Sequence, residues 1–380
     1  MTLTLPYEQT EEPMRQWPKV VYKEECMREG MQIEDVNIPV EQKVRLLDAI
    51  SETGLKNIVV GSFVSPKYTP QMACIDEILR RFRPKLGVTY TALVANRQGE
   101  ERARAYAPPL TLEREPVPYL SCTLCDVFVR RNFNRSQAQE IERWSQIIGR
   151  AKERKLKAAG IAIHAAWGSN FLGRFTLAQR IEMLEGEHAL WDDVGIAVTH
   201  VNLGDPMSWN APHEVEETLA VIKKRWPAIK HFKLHFHNAR GMAMASTYAA
   251  MRALEATDTV YFDGTIGGIG GCPYCGNGRA TGMVATEDLM HFLQRMGIET
   301  GVDLNRVINC AWMLEEMLGR LTPGHVSKAG PCPINPEDCY DPNMPFVESF
   351  EQARHFRLGP KVYADGHRPW KEAISRPRVA

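Results

Sequence analysis

The sequence predicts an α/β fold, a (β/α)8 TIM barrel followed by an irregular C-terminal extension. Three observations lead there. Apolar runs of strand length alternate with amphipathic stretches of helix length, and that alternation implies parallel pairing. Eight such units fit into about 280 residues, which suits a closed barrel better than an open doubly wound sheet. No Gly-x-Gly-x-x-Gly follows an early strand, so the main signature of the open alternative is missing.

Taken in order, KVVYKEEC (19–26) reads as the first strand, rich in β-branched and aromatic residues. PVEQKVRLLDAISETG (39–54) is an amphipathic helix closed by Gly54. NIVVGSFV (57–64) and MACIDEILRRF (72–82) form the second unit. GVTYTALV (87–94) is followed by a short, charge-heavy helix, EERARAYA (100–107). PYLSCTL (118–124) precedes SQAQEIERWSQIIGRAKERK (136–155), read as one long helix with Ser136 as its N-cap. GIAIHAAW (160–167) pairs with the helix 176–193, and IAVTHVNLG (196–204) with the helix 213–226. HFKLHFHN (231–238) precedes the helix 242–256, and TVYFDGTIG (259–267) the helix 286–297. VDLNRVINCAWMLEEMLGRL adds a helix after residue 300. From residue 323 prolines and turn formers dominate. The expected division is an N-terminal arm (1–18), the barrel (19–322) and a Pro-rich extension (323–380).

The chain has 380 residues, 44% hydrophobic and 24% charged, with zero formal net charge. Nothing in that balance draws it toward nucleic acid or an anionic membrane. The basic stretch RAKERKLK (150–157) reads as the solvated end of a helix. No apolar run reaches the roughly 20 residues of a membrane span. The first residues carry Glu8, Glu11 and Glu12 and lack the apolar core of a signal peptide, and the closing RPRVA is no address signal. Nine cysteines, an odd and scattered set, fit a reducing cytoplasm better than a secreted disulfide framework.

In a parallel barrel the working groups gather where strands end. The first strand brings Glu24, Arg28 and Glu29 there, the sixth Asp205, and the seventh His235 and His237. Residues i and i+2 of a strand share a face, so the two imidazoles lie side by side and suit a divalent metal with a nearby carboxylate. Two hydrogen-bonded structural histidines are the plainer alternative. Arg28 is a fixed cation able to stabilise a developing enolate oxygen, or else one half of a salt bridge at the barrel mouth.

The eighth strand runs into GGCPYCGNGRATG (270–282). Cys-Pro-Tyr-Cys resembles a dithiol redox motif, but such a motif needs its first cysteine at a helix N-terminus, and the next good helix begins near Thr286. A zinc site needs a second pair, and CTLC (122–125) lies far outside ribbon spacing. The glycines describe a flexible flap carrying Cys272, a thiol able to move a proton.

REGMQ, GSFVSPKYTPQM (61–72), RRNFNRS (130–136), NLGDP, HFHNARGMA (235–243), GGIGGCPY (267–274) and ATEDL (285–289) together resemble the 3-hydroxy-3-methylglutaryl-CoA lyases, a branch of the DRE-TIM metallolyases. The resemblance covers about residues 20–330 in family order. It implies a homodimeric barrel that needs Mg²⁺ or Mn²⁺ and cleaves a 3-hydroxy-acyl-CoA to acetyl-CoA and a keto acid. By matching position it gives the enolate to Arg28, and the metal to Glu29, His235 and His237. Asp205 would take the substrate hydroxyl, and Cys272 proton transfer. His235 counts as catalytic as well as a ligand. Glu24, Lys67 and Asn132 would contact the acyl-CoA.

The chain departs from the family pattern in places. Glu29 replaces an Asp, and Val59 replaces an acidic residue of the second strand. The flap is longer, and the family's Asn ligand falls at Thr281 or Met283, with Asn277 as the nearby substitute. HAAWGSN (164–170) replaces a Cys-rich turn. A lyase is the leading reading. A related aldolase or Claisen-type synthase on a 2-oxo acid, and a degenerate non-catalytic barrel, are the alternatives.

Overall fold

Period-two alternation in the apolar runs sets the architecture. In the computed structural model, which describes residues 15–94, 96–112 and 117–375, they form eight parallel strands. These are β1 (Lys19–Glu24), β2 (Asn57–Ser62), β3 (Thr89–Leu93), β4 (Tyr119–Thr123), β5 (Ala158–His164), β6 (Ala197–Asp205), β7 (His231–Phe236) and β8 (Thr259–Gly264). Their order is β3-β2-β1-β8-β7-β6-β5-β4. The first strand thus pairs with the last, residue for residue from Lys19↔Thr259 to Glu24↔Gly264. Among the described residues no ladder joins β3 to β4. Most of the N-terminal arm and the closing RPRVA lie outside the described residues.

One face of each strand turns outward to the helices. Ile58 and Val60 on β2, Ile161 and Ile163 on β5, Val201 and Leu203 on β6, and Phe232, Leu234 and Phe236 on β7 are nearly or fully buried in one core. Leu46, Leu47 and Ile50 of α1 (Val40–Ser51) and Leu184 and Trp191 of α7 (Leu177–Asp192) belong to it as well. Burying such a side chain contributes about 1.5–3 kcal/mol. The other face points into the barrel. It carries Lys23, Lys233, His235 and Asp263, which is why the lumen is polar.

The remaining helices are α2 (Ile75–Arg81), α3 (Arg97–Arg104), α4 (Asp126–Phe133), α5 (Gln137–Glu142), α6 (Trp144–Glu153), α8 (Pro212–Arg225), α9 (Ala243–Ala253), α10 (Thr286–Arg295) and α11 (Leu304–Leu318). The long helix expected over 136–155 is two. Ser136 does cap α5 in a capping box. At Arg143 the chain then steps, because each piece has its own anchor on β4. Glu140 accepts from Thr123 N–H at 3.0 Å, and Trp144 Nε1 donates to Ser121 O at 3.0 Å. Three features carry no sequence signal of their own: α4, a small hairpin (Gly168–Ser169 with Gly173–Arg174), and a five-residue π-turn, Cys26–Gly30.

After α11 the chain makes only short turns, beginning with Val326–Ala329, and stays tied to the barrel. Trp312 Nε1 donates to Ser327 O at 2.7 Å, and Lys328 Nζ meets Glu315 Oε1 at 2.6 Å. Among the described residues no helix is long and apolar enough to cross a membrane.

Candidate active site

The π-turn at the end of β1 decides where Arg28 and Glu29 go. Such a wide turn is common at functional sites because it aims neighbouring side chains in directions an α-helix does not offer. Here Arg28 and Glu29 both face the mouth. His235 ends the inward face of β7, and His237 follows two residues on. Glu29 Oε1 lies 3.0 Å from His237 Nε2 and 3.8 Å from His235 Nε2, and the two Nε2 atoms are 3.0 Å apart. One ligand atom from each of the three residues falls within 4.8 Å of the others.

The outer nitrogens fix the tautomers. His237 Nδ1 is 3.1 Å from Thr281 O, a carbonyl that can only accept, so Nδ1 carries the proton and Nε2 presents a lone pair. His235 Nδ1 is 2.8 Å from Asp263 Oδ1, which accepts in the same way. The Nε2···Nε2 contact then needs one further proton. Burial opposes a charge on His235, but Asp263 and Glu29 outweigh it and push its pKa up to about 9. Burial likewise opposes ionisation of Glu29. Arg28 and the two histidines prevail and hold it well below the usual carboxylate range.

Arg28 is clamped on both sides. Its Nε donates to Glu25 Oε2 at 2.7 Å and its Nη2 to Glu29 Oε2 at 2.9 Å. Burial disfavours the guanidinium charge, yet these two carboxylates raise its pKa further. Glu25, 2% exposed, is an anchor that sequence reasoning missed, as are Asp263 and Thr281. Strand parity was the available signal, since Glu25 and Asp263 both lie on the inward face. Val59 faces the lumen from β2 without a charge to offer Arg28.

One expected residue, Glu24, turns elsewhere, and another, Asp205, is held by the turn that follows it. Glu24, expected to contact substrate, has the outward parity of Tyr22 and is fully buried. Its carboxylate accepts from Cys26 N–H (2.9 Å), Ile266 N–H (3.0 Å) and Thr286 Oγ1 (2.6 Å). Burial pushes its pKa up to about 7. It ties β1 to the loop after β8 rather than facing the mouth. Asp205 is also fully buried. Its Oδ2 takes Asn210 N–H at 2.7 Å and the Asn210 amide, and its Oδ1 takes only Trp209 N–H at 3.0 Å. Burial raises its pKa. Lys67 is exposed on the loop after β2, its Nζ 5.7 Å from the Tyr68 ring, and Asn132 is half-buried on α4.

The glycine run is anchored over the mouth. Cys272 N–H donates to Thr281 Oγ1 at 2.7 Å, Gln32 Nε2 to Gly271 O at 2.9 Å, and Arg131 Nε to Tyr274 O at 2.9 Å. Gly270 has φ +111°, and a Cβ there would stand 2.9 Å from Glu29 O, so only glycine lets the loop pass this close. Cys272 is 8% exposed and Cys275 fully buried. A hydrogen bond from the Cys275 thiol holds the Cys272 pKa down, whereas Cys275 itself is pushed far up. Thr281 and Met283, the positions expected to align with an Asn ligand, both lie against His237. Asn277 has a buried Oδ1 with no hydrogen-bond partner. The ionised Glu29 carboxylate and the two imidazoles, once His235 gives up its extra proton, fit a divalent cation.

Fold and site together define an enzyme of the parallel-barrel type, with its donor triad and cation at the strand-end mouth. The HMGL-like family matches residues 20–313. The hydroxymethylglutaryl-CoA lyase of Pseudomonas mevalonii is 32% identical over 292 residues, 77% of this chain and 90% of that protein. The (R)-citramalyl-CoA lyase of Chloroflexus aurantiacus is 33% identical over 314 residues, 80% and 92% of the two chains. Among solved structures, an HMG-CoA lyase from Acinetobacter baumannii, in complex with coenzyme A and 3-methylmalate, superposes with a TM-score of 0.65 at 26% identity. It covers 84% of this chain and 97% of that one. The chain belongs to the HMGL-like family, and it is a carbon–carbon lyase.

Proposed function

We propose that the protein cleaves a 3-hydroxy-3-methylglutaryl-CoA-like 3-hydroxy-acyl-CoA to acetyl-CoA and a keto acid. The observation that carries this reading is the contact of Arg28 with the Glu29–His235–His237 triad, under a loop that delivers a thiol. Mg²⁺ or Mn²⁺ held by Glu29, His235 and His237, with Asn277 as the substitute for the family's Asn, would polarise the substrate hydroxyl and carboxylate.

The protein's own groups supply the rest. Asp205 Oδ1, with one hydrogen bond, has lone-pair capacity left for the hydroxyl proton. As that proton leaves, the carbinol carbon becomes a carbonyl and the bond to the thioester α-carbon breaks. The electron pair moves onto the thioester as an enolate. Arg28, held rigid by Glu25 and Glu29, is the preorganised cation for that oxygen. Cys272 then gives its proton to the enolate carbon to complete acetyl-CoA. Lys67, on the loop after β2, and Asn132, on α4 after β4, would contact the acyl-CoA. We treat residues 19–322 as the catalytic unit and 323–380 as its extension.

The likeness to a citramalyl-CoA lyase puts a second acyl group in play, one whose carboxylate sits on the carbinol carbon. Acetyl-CoA release with Mg²⁺ or Mn²⁺ from both compounds, with a chelator control, decides between them. Release from neither, with metal bound, would turn the assignment toward an aldolase on a 2-oxo acid. Absence of metal binding would favour a non-catalytic barrel. The scattered cysteines, all free among the described residues, support a reducing cytoplasm, and a homodimer is the state to check by sedimentation.

A further inference from the structure

The lyase reading uses Cys272 and leaves Cys275 without a task. We propose that the two form an oxidation site: a peroxide converts the Cys272 thiol to a sulfenic acid, and Cys275 closes it to a disulfide. Its effect on catalysis rests on the lyase reading; the modification itself does not.

The geometry comes first. Cys275 N–H donates to Cys272 O at 3.2 Å, closing a reverse turn with Pro273 at the position where its fixed φ is favoured. The ends of such a turn lie within about 7 Å of each other, and a disulfide needs roughly 4.4–6.8 Å between Cα atoms. Both side chains enter the same small apolar cluster, with Phe128 and Met207. Cys275 has one S–H proton and two acceptors in reach, Pro206 O at 3.1 Å and the Cys272 sulfur. The turn thus brings both thiols into one small cluster.

Exposure then assigns the roles. Cys272 is 8% exposed and Cys275 fully buried, so a molecule as small as hydrogen peroxide reaches Cys272 first. Cys275, closed off behind it, resolves. No helix begins at Cys272, so the pair lacks the feature of a disulfide-exchange catalyst. It is suited instead to an internal bond that forms in place.

The steps balance. The Cys272 thiolate and hydrogen peroxide give the sulfenic acid and hydroxide, with sulfur oxidised and the O–O bond reduced. Cys275 thiol and the sulfenic acid give the disulfide and water. A dithiol such as dithiothreitol reverses the bond by exchange. A third sulfur, Cys125, shares the cluster, where it accepts from Ser169 Oγ at 2.9 Å and from Phe128 N–H, and is the competing partner.

The test uses the full chain with Mg²⁺, treated with hydrogen peroxide, alkylated and mapped by peptide mass. The expected product is the peptide holding residues 272 and 275 with two thiol hydrogens missing and no alkyl label. Dithiothreitol should restore both labels. Acetyl-CoA release should fall about 10²-fold and return with the reductant. In Cys275→Ala the loss should become irreversible as Cys272 passes to the sulfinic acid. Cys125→Ala should map like the wild type. Full alkylation of both residues after peroxide, or a bond from Cys272 to Cys125, would overturn the proposal. The mass map stands even if no tested acyl-CoA is a substrate.

Discussion

Arg28 shows how much of a residue's role comes from its neighbours. Glu25 and Glu29 each take one edge of its guanidinium, and both are buried. Lysine cannot serve two acceptors in that fork. Arg28→Lys should therefore lower kcat by about 10²–10³-fold, the scale of losing one preorganised oxyanion donor. Metal affinity should change little, because Arg28 is no ligand. An equal fall in metal binding would reassign it as a support of the triad. Asp263 has the opposite profile. It orients His235 through Nδ1 at 2.8 Å, so Asp263→Asn should weaken Mn²⁺ binding about 10–100-fold by calorimetric titration. Unchanged affinity would show that His235 is held by packing alone.

At the level of elements, α7 docks on β5 through a buried acid. Glu187 Oε2 accepts from Ala162 N–H at 2.7 Å, Oε1 has no partner, and the side chain is fully buried. Burial raises its pKa well above the usual value, against that one hydrogen bond. The sign follows from linkage. Above about pH 4.5 the folded protein keeps a proton that the unfolded chain releases, so this group's contribution declines as pH rises, by up to about 1.4 kcal/mol per unit. Glu187→Gln removes the titration. Denaturation curves for the two proteins should nearly coincide at pH 4.5, with the variant the more stable at pH 8. A gap that does not change with pH would mean that Glu187 is ionised in place. Element boundaries were less legible than element types. Periodicity found every barrel strand, whereas α4 and the π-turn are short pieces shaped by what they touch.

Across the whole molecule, a buried carboxylate on α11 helps tie the C-terminal segment to the barrel. Glu315 meets Lys328 at 2.6 Å, Arg354 at 3.3 Å and the Thr322 hydroxyl at 2.9 Å, and is 7% exposed. Removing it leaves Lys328 and Arg354 without that counter-charge. Glu315→Ala should cost about 3 kcal/mol in denaturant unfolding, and proteolysis of the segment after residue 330 should precede that of the barrel. Simultaneous cleavage of both would show that the segment is part of the barrel's cooperative unit.

The sequence by itself determined the barrel and its strand order in the chain, and it put His235, His237, Glu29, Arg28 and Cys272 forward as candidates for the site. Hydrophobic period and strand-end position are local properties that a chain displays without folding. Only the tertiary structure decided which face each side chain serves. Glu24 and Glu25 are neighbours in sequence, yet one binds the outer layer and the other clamps Arg28, because successive strand residues point to opposite faces. The pairing of β7 with β8 brings Asp263 to His235, 28 residues away in the chain, and the loop after β8 brings Thr281 to His237, 44 residues away. Contacts at that separation exist only once strand has paired with strand and the loop has folded back, and they set which nitrogen of each imidazole is free.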